Sequence, residues 1–102
     1  MEVKYKRNLE GLIVYLCGEL DESSSDFVRT ALESLFDNNL NVKRVVFDLS
    51  ALKFMDSTGI GTLIGRYKKL KQLGIAVYIT GANVSVEKII ELSGLYSIMP
   101  KY

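Results

Sequence analysis

The residues best able to do chemistry are concentrated in one run, Asp48-Leu49-Ser50-Ala51-Leu52-Lys53-Phe54-Met55-Asp56-Ser57-Thr58-Gly59-Ile60-Gly61. An apolar stretch, Val45-Val46-Phe47, ends where the run begins, and a long amphipathic pattern starts at its far end. This puts Ser57 where a loop becomes a helix. A serine there is exposed, and the free N–H groups and dipole of a helix start favour a phosphate. Phosphorylation would add about −1.5 to −2 charges. With Asp56 adjacent and Asp21 expected nearby, the added charge would let a partner that accepts the hydroxyl reject the phosphate. The same serine has a purely structural use, because Ser and Asp lead among N-cap residues. Helix chemistry alone leaves both uses open.

The remaining composition narrows the chemistry. The chain has no histidine and one cysteine, Cys17. That removes the usual general base, every Ser-His-Asp or Cys-His arrangement, a zinc signature and any intramolecular disulfide. Ser57 also lacks a G-x-S-x-G elbow. Gly59-Ile60-Gly61-Thr62-Leu63-Ile64-Gly65 approximates a dinucleotide loop, but its third glycine comes one position late and does not follow the first strand. Asp48, at a strand end, invites comparison with the phosphoacceptor of a receiver domain. Such a domain needs an acidic pair after its first buried strand and a lysine after a later one. Here Tyr15-Leu16-Cys17 and Gly81 occupy those places, so Asp48 is expected to brace its turn through Ser50.

The 102 residues are 48% hydrophobic and 25% charged, which fits one globular domain spanning 1–102. Thirteen basic against 12 acidic residues give a net charge of +1, too balanced for a nucleic-acid footprint. Met1 to Arg7 carries no apolar h-region, and no run approaches the roughly 20 apolar residues of a membrane span. A cytoplasmic protein with no cofactor is the expectation.

The elements that must position Ser57 follow from periodicity. Val3 to Asn8 reads as a polar edge strand in a hairpin with Leu12 to Cys17, whose unbroken apolar run predicts burial on both faces. Gly18 to Glu22 reads as a loop, with Ser23, Ser24 and Ser25 as N-cap candidates. Phe27, Val28, Ala31, Leu32, Leu35 and Phe36 then recur at helical spacing, and Asp37-Asn38-Asn39 ends that helix. Lys43 to Asp48 is a strand. Ile60, Leu63, Ile64, Tyr67 and Leu70 form the stripe of a second helix, capped by Asp56 or Ser57 and stopped at Gly74. Ile75 to Ile79 is a strand, and Val86, Ile89 and Ile90 belong to a helix capped by Asn83 or Ser85 and ended by Gly94. Leu95 to Tyr102 is left to pack or pair briefly. The order β-β-α-β-α-β-α implies an α/β domain with flanking helices and a mixed four-stranded sheet, or five strands if a short one forms near the end. The loops Gly18 to Asp21, Asp48 to Asp56 and Thr80 to Asn83 would share the carboxyl ends of the parallel strands, bringing Asp21, Asp48, Asp56 and Ser57 to one edge. Ser57, Gly61 and Gly65 lie on one flank of the second helix. That flank suits close packing against a neighbouring helix of the same domain or a partner's approach.

Asp48-Leu49-Ser50 followed by Phe54-Met55-Asp56-Ser57-Thr58-Gly59-Ile60-Gly61 resembles the signature of STAS domains, specifically bacterial anti-sigma factor antagonists. Gly18-Glu19-Leu20-Asp21 is similar to the family's earlier motif and Leu92-Ser93-Gly94-Leu95 to its late helix end. The resemblance spans the chain. It implies a partner switch without enzymatic activity of its own. The unphosphorylated antagonist binds an anti-sigma factor, itself a serine kinase with a GHKL-type ATP site, and so frees a sigma factor for transcription. The kinase phosphorylates the serine matching Ser57 and the complex separates; a PPM-type serine phosphatase restores binding. On this resemblance Asp21, Ser50, Asp56, Thr58 and Gly59 line the kinase-facing surface, Asp56 shapes the loop and Gly59 permits a tight helix start. The antagonist acts as a monomer or weak oligomer, with no direct nucleic-acid or membrane contact. The alternative within the same family is a non-switching STAS interaction subunit of a sensor complex or transporter.

Overall fold

The computed structural model describes residues 1–39 and 41–102. Its organising strand is β2, Gly11–Leu20, which is long enough to serve two pairings in succession. Its first part pairs antiparallel with β1, Glu2–Arg7, and parallel with β3, Arg44–Asp48, in the register Gly11↔Arg44 to Tyr15↔Asp48. Its last residues pair parallel with β4, Leu52–Met55, through Gly18↔Leu52, Glu19↔Phe54 and Leu20↔Met55. The β3 pairing ends at Tyr15, and the β4 pairing itself shifts register between Gly18 and Glu19, skipping Lys53; Gly18 takes a φ of 113°, which only glycine adopts without strain. β5, Ala76–Thr80, adds to β3 in parallel, giving the sheet order β1-β2-β3-β5 with β4 set against the end of β2.

Three helices complete the chain: α1, Ser25–Asp37, α2, Ser57–Gln72, and α3, Val84–Ser93, followed by a 3₁₀ turn at Leu95–Ser97. Leu12, Val14, Leu16, Val45, Phe47, Val77 and Ile79 form the buried face of the sheet. Val28, Leu32 and Phe36 of α1 join them in one core with Ile60, Leu63 and Leu70 of α2. The Phe36 and Phe47 rings meet edge-on at 6.2 Å across that layer. The α/β class, the antiparallel N-terminal edge and the helix positions agree with the sequence patterns. No described helix is long and apolar enough to cross a membrane.

Four expectations need correction. The stretch from Asp48 to Asp56 is not a plain turn, because it contains β4; the fifth strand therefore lies mid-chain, and the order is β-β-α-β-β-α-β-α. Its burial runs buried, exposed, exposed, buried from Leu52 to Met55, so it has no two-residue period to read. Gly18 to Leu20 is strand rather than loop, held by that same β4. β2 is fully covered on one face only, since Ile13, Tyr15 and Cys17 are half-buried. Finally, Phe27 leaves the apolar stripe of α1 and is 55% exposed. The tail does pair briefly, through one bridge between Lys101 and Ile79.

Asn83 joins α3 to β4. Its Oδ1 accepts from the Val86 N–H at 2.9 Å as an N-cap, and its Nδ2 donates to the Leu52 carbonyl at 3.1 Å. Asn83→Ala removes both bonds, and an N-cap loss costs about 1–2 kcal/mol. Urea unfolding should show that loss, with Asn83→Asp intermediate because it keeps the cap and loses the donor. An unchanged midpoint for Asn83→Ala would show that neither bond contributes.

Candidate functional site

Everything around Ser57 is set by the end of β2. The Leu20 carbonyl accepts the Asp56 N–H at 3.3 Å, so the chain entering α2 starts beside the strand end that leads to Asp21. Asp56 then caps the helix, its Oδ1 accepting the Gly59 N–H at 3.0 Å from an extended backbone (φ −114°, ψ −172°). Gly59 is buried, and a Cβ built there would lie 2.5 Å from the Leu20 oxygen and 2.7 Å from Met55 Cγ. The helix start therefore rests directly on β2. Ser57, the first helical residue, is exposed, and its hydroxyl has no hydrogen-bond partner among the described residues. Of the two cap candidates, Asp56 does the capping and Ser57 is left free.

Asp21 sits in the turn that follows β2. Its carboxylate accepts the Ser23 hydroxyl at 2.7 Å and the Ser24 N–H at 3.1 Å, while its own N–H donates to Ser24 Oγ at 3.0 Å. The Ser23 hydroxyl above all holds the Asp21 carboxyl below the usual carboxylate range; burial opposes it, and the bonds to Ser24 add to the lowering. Ser24 occupies the N-cap position of α1 but makes no side-chain cap; its hydroxyl donates to the Glu19 carbonyl at 2.7 Å instead.

Asp21, Asp56, Ser57, Thr58 and Gly59 thus gather at one end of β2 and β4. Ser50 and Asp48 do not join them. The Ser50 N–H and hydroxyl both bond Asp48 Oδ1, at 2.9 and 2.6 Å, bracing the turn before β4. That turn packs on Gly81, where a Cβ would come within 3.1 Å of both residues. The four residues of β4 separate it from Ser57 by roughly 13 Å at about 3.3 Å per residue. Gly59 also departs from expectation: it is buried, so it supports the surface rather than lining it.

The flank of α2 holding Gly61 and Gly65 is open, with nothing within 4 Å of a Cβ at either position, so these glycines do not serve packing against α1. Thr58, Gly61, Thr62, Gly65 and Arg66 instead form one wall of a surface cleft of about 530 Å³, with Ser25 and Arg29 of α1 opposite. Arg66 bonds Glu33 Oε1 at 2.6 Å and Arg29 pairs with Asp26. Neither arginine was legible as a site residue, because a charge on a helix flank looks the same whether it faces a groove or open water. Phe54, two residues before Asp56 and part of the same motif, is 45% exposed.

A family model described as the STAS domain matches residues 1–102. The chain belongs to the STAS domain family. It is 37% identical over 102 residues to the anti-sigma F factor antagonist of Paenibacillus polymyxa, covering 100% of this chain and 85% of that protein. It is 29% identical over 99 residues to the anti-sigma-B factor antagonist of Listeria monocytogenes, covering 97% and 84%. An anti-sigma factor antagonist from Mycobacterium paratuberculosis has a crystal structure similar to this STAS domain, with a TM-score of 0.82 at 25% identity over 99% of this chain and 84% of that one.

Two predictions follow from the packing and the charge. Gly59→Ala forces a methyl onto a backbone oxygen and should lower unfolding stability by at least about 2 kcal/mol. Gly61→Ala and Gly65→Ala should each raise it by about 0.5–1 kcal/mol, because they remove helix glycines in open space. Chemical denaturation of the three variants checks this, and equal effects at all three positions would contradict it. The depressed Asp21 pKa contributes stability above the ordinary carboxylate value that is lost as pH falls through the lowered one. Ser23→Ala should move the Asp21 titration upward in an NMR pH series; an unmoved midpoint would remove the Ser23 hydroxyl as the cause.

Proposed function

We propose that this STAS domain is an anti-sigma factor antagonist switched by phosphorylation of Ser57. Unphosphorylated, it binds an anti-sigma factor that is also a serine kinase, and the sigma factor is released for transcription. Phosphorylation of Ser57 ends the complex, and a PPM-type serine phosphatase returns the protein to its binding form. It acts as a binding protein rather than an enzyme, in the cytoplasm, with no direct contact to nucleic acid or membrane. Asp21, Asp56 and Thr58 belong to the partner-facing end, and Gly59 holds it in shape.

One observation carries the proposal: Ser57 is exposed with a free hydroxyl at the start of α2, while Asp56 already performs the cap. A serine retained for capping alone would be expected to make that bond itself. The names of the relatives in the family favour a sigma-regulating role for the surface around it.

The physical consequence of modification is local. At an effective dielectric of about 20, a unit charge about 6 Å from a like charge on the partner is repelled by about 3 kcal/mol before salt screening, or roughly hundredfold in affinity. A phosphate also needs more room and more hydration than the hydroxyl it replaces.

The test is binding to an anti-sigma factor kinase by titration calorimetry. Ser57→Asp should weaken the complex by at least about tenfold, a cost of roughly 1.4 kcal/mol. Ser57→Ala should bind like the unaltered protein and resist release by ATP. If both variants bind and release as the unaltered protein does, the proposal fails.

A further inference from the structure

The cleft between α1 and α2 has a definite sign. Arg29 of α1 and Arg66 of α2 border it from opposite sides, and no carboxylate is among the described residues that line it. It opens between the first turns of the two helices, at Ser25 and Thr58, where both helix dipoles add positive potential. The acids that pair with the two arginines stand outside the lining. Arg29 pairs with the exposed Asp26, an i,i+3 contact of a kind that contributes little. Arg66 is held more closely, with its side chain only 14% exposed. One of its N–H donors bonds Glu33 Oε1 at 2.6 Å, and its Nε is buried with no partner among the described residues. A guanidinium carries five donors, so this one is under-satisfied, and a further carboxylate reaching its open side would add to its partners.

The lining also bears on what carries the anion. No apolar side chain is among the described residues that border the cleft, whereas pockets for small organic ligands are walled mostly by apolar groups. Gly61 and Gly65 lower its floor to the backbone, with nothing within 4 Å of a Cβ at either. A floor of that kind lets the main chain of another protein come close. Both glycines cost helix stability relative to alanine, and no packing inside the domain requires them. Thr58, which borders the cleft, directly follows Ser57, so the cleft adjoins the end of the domain that carries the proposed acceptor.

We infer that the α1–α2 cleft receives an acidic side chain of the anti-sigma partner, held by Arg29 and Arg66, with the partner's backbone resting on Gly61 and Gly65. This rests on the proposed function and adds to it a second contact, opposite in sign to the acidic end formed by Asp21 and Asp56.

The test is titration calorimetry against an anti-sigma factor kinase, with urea unfolding of each variant alongside. Arg29→Glu should weaken binding by at least about tenfold. Lys6→Glu makes the same change in net charge near the start of β2, opposite Ile13, and should leave the affinity within about twofold. Gly65→Glu puts a carboxylate of the domain's own into the cleft. It should also weaken binding by about tenfold or more while unfolding stability rises, because glutamate replaces a helix glycine in open space. Full affinity in Arg29→Glu or Gly65→Glu would overturn the inference, and release of the partner by Ser57→Asp in the same series would leave the proposed function standing. Equal losses in Lys6→Glu and Arg29→Glu would overturn it as an effect of net charge alone. A Gly65→Glu variant that loses affinity and stability together would overturn it too, since that flank would then serve the fold. If the unaltered domain does not bind the kinase, the inference and the proposed function fail together.

Discussion

Gly59 stands so close to the Leu20 carbonyl that no side chain fits between them, and this contact fixes where α2 begins. With the helix start seated on β2, Asp56 has to turn its carboxylate back to the Gly59 N–H, and Leu20 takes the Asp56 N–H. Ser57 is then carried outward as the first exposed helical residue. A bulkier residue at position 59 would lift the helix, open the cap and change the direction in which Ser57 is presented. The rest of the domain can be viewed as support for that contact: β2 extends past the register shift at Gly18 so that its end reaches α2, and β4 returns alongside it.

This arrangement separates support from reactivity. Asp56 and Gly59 are engaged inside the fold, Asp21 is tied to Ser23 and Ser24, and Ser50 is tied to Asp48. The Ser57 hydroxyl has no hydrogen-bond partner among the described residues. On the proposed function, phosphorylation would break no internal bond and would require no rearrangement of the domain. The switch would lie in the surface met by the partner, where a compact neutral hydroxyl becomes a hydrated dianion next to Asp56.

Much of the fold was legible because long periodic segments leave little choice. The stripe of α2, the caps at Asp56 and Asn83, the glycine at 94 and the apolar runs of β2, β3 and β5 all lie where local chemistry places them. β4 was not legible, since its four residues follow no alternation and its pairing with β2 is irregular, skipping Lys53. The role of Gly59 was half legible: the motif suggested a tight helix start, whereas its burial against Leu20 depends on a contact across some forty positions of the chain. The separation of Ser50 from Ser57 was hidden for the same reason, because a loop and a four-residue strand look alike in sequence while differing in reach. The cleft between α1 and α2 depends on which flank each helix turns outward, and that is set by packing rather than by local sequence.

The central claim is that Ser57, rather than the equally unbonded Thr58 beside it, accepts the phosphate. Incubation with an anti-sigma factor kinase and ATP, followed by tandem mass spectrometry of the digested protein, tests it most directly. The account predicts a single acid-stable phosphate on Ser57, with Ser50 and Thr58 unmodified. A phosphate on Thr58 or Ser50, a base-labile acyl phosphate on Asp48, or no incorporation at all would contradict it.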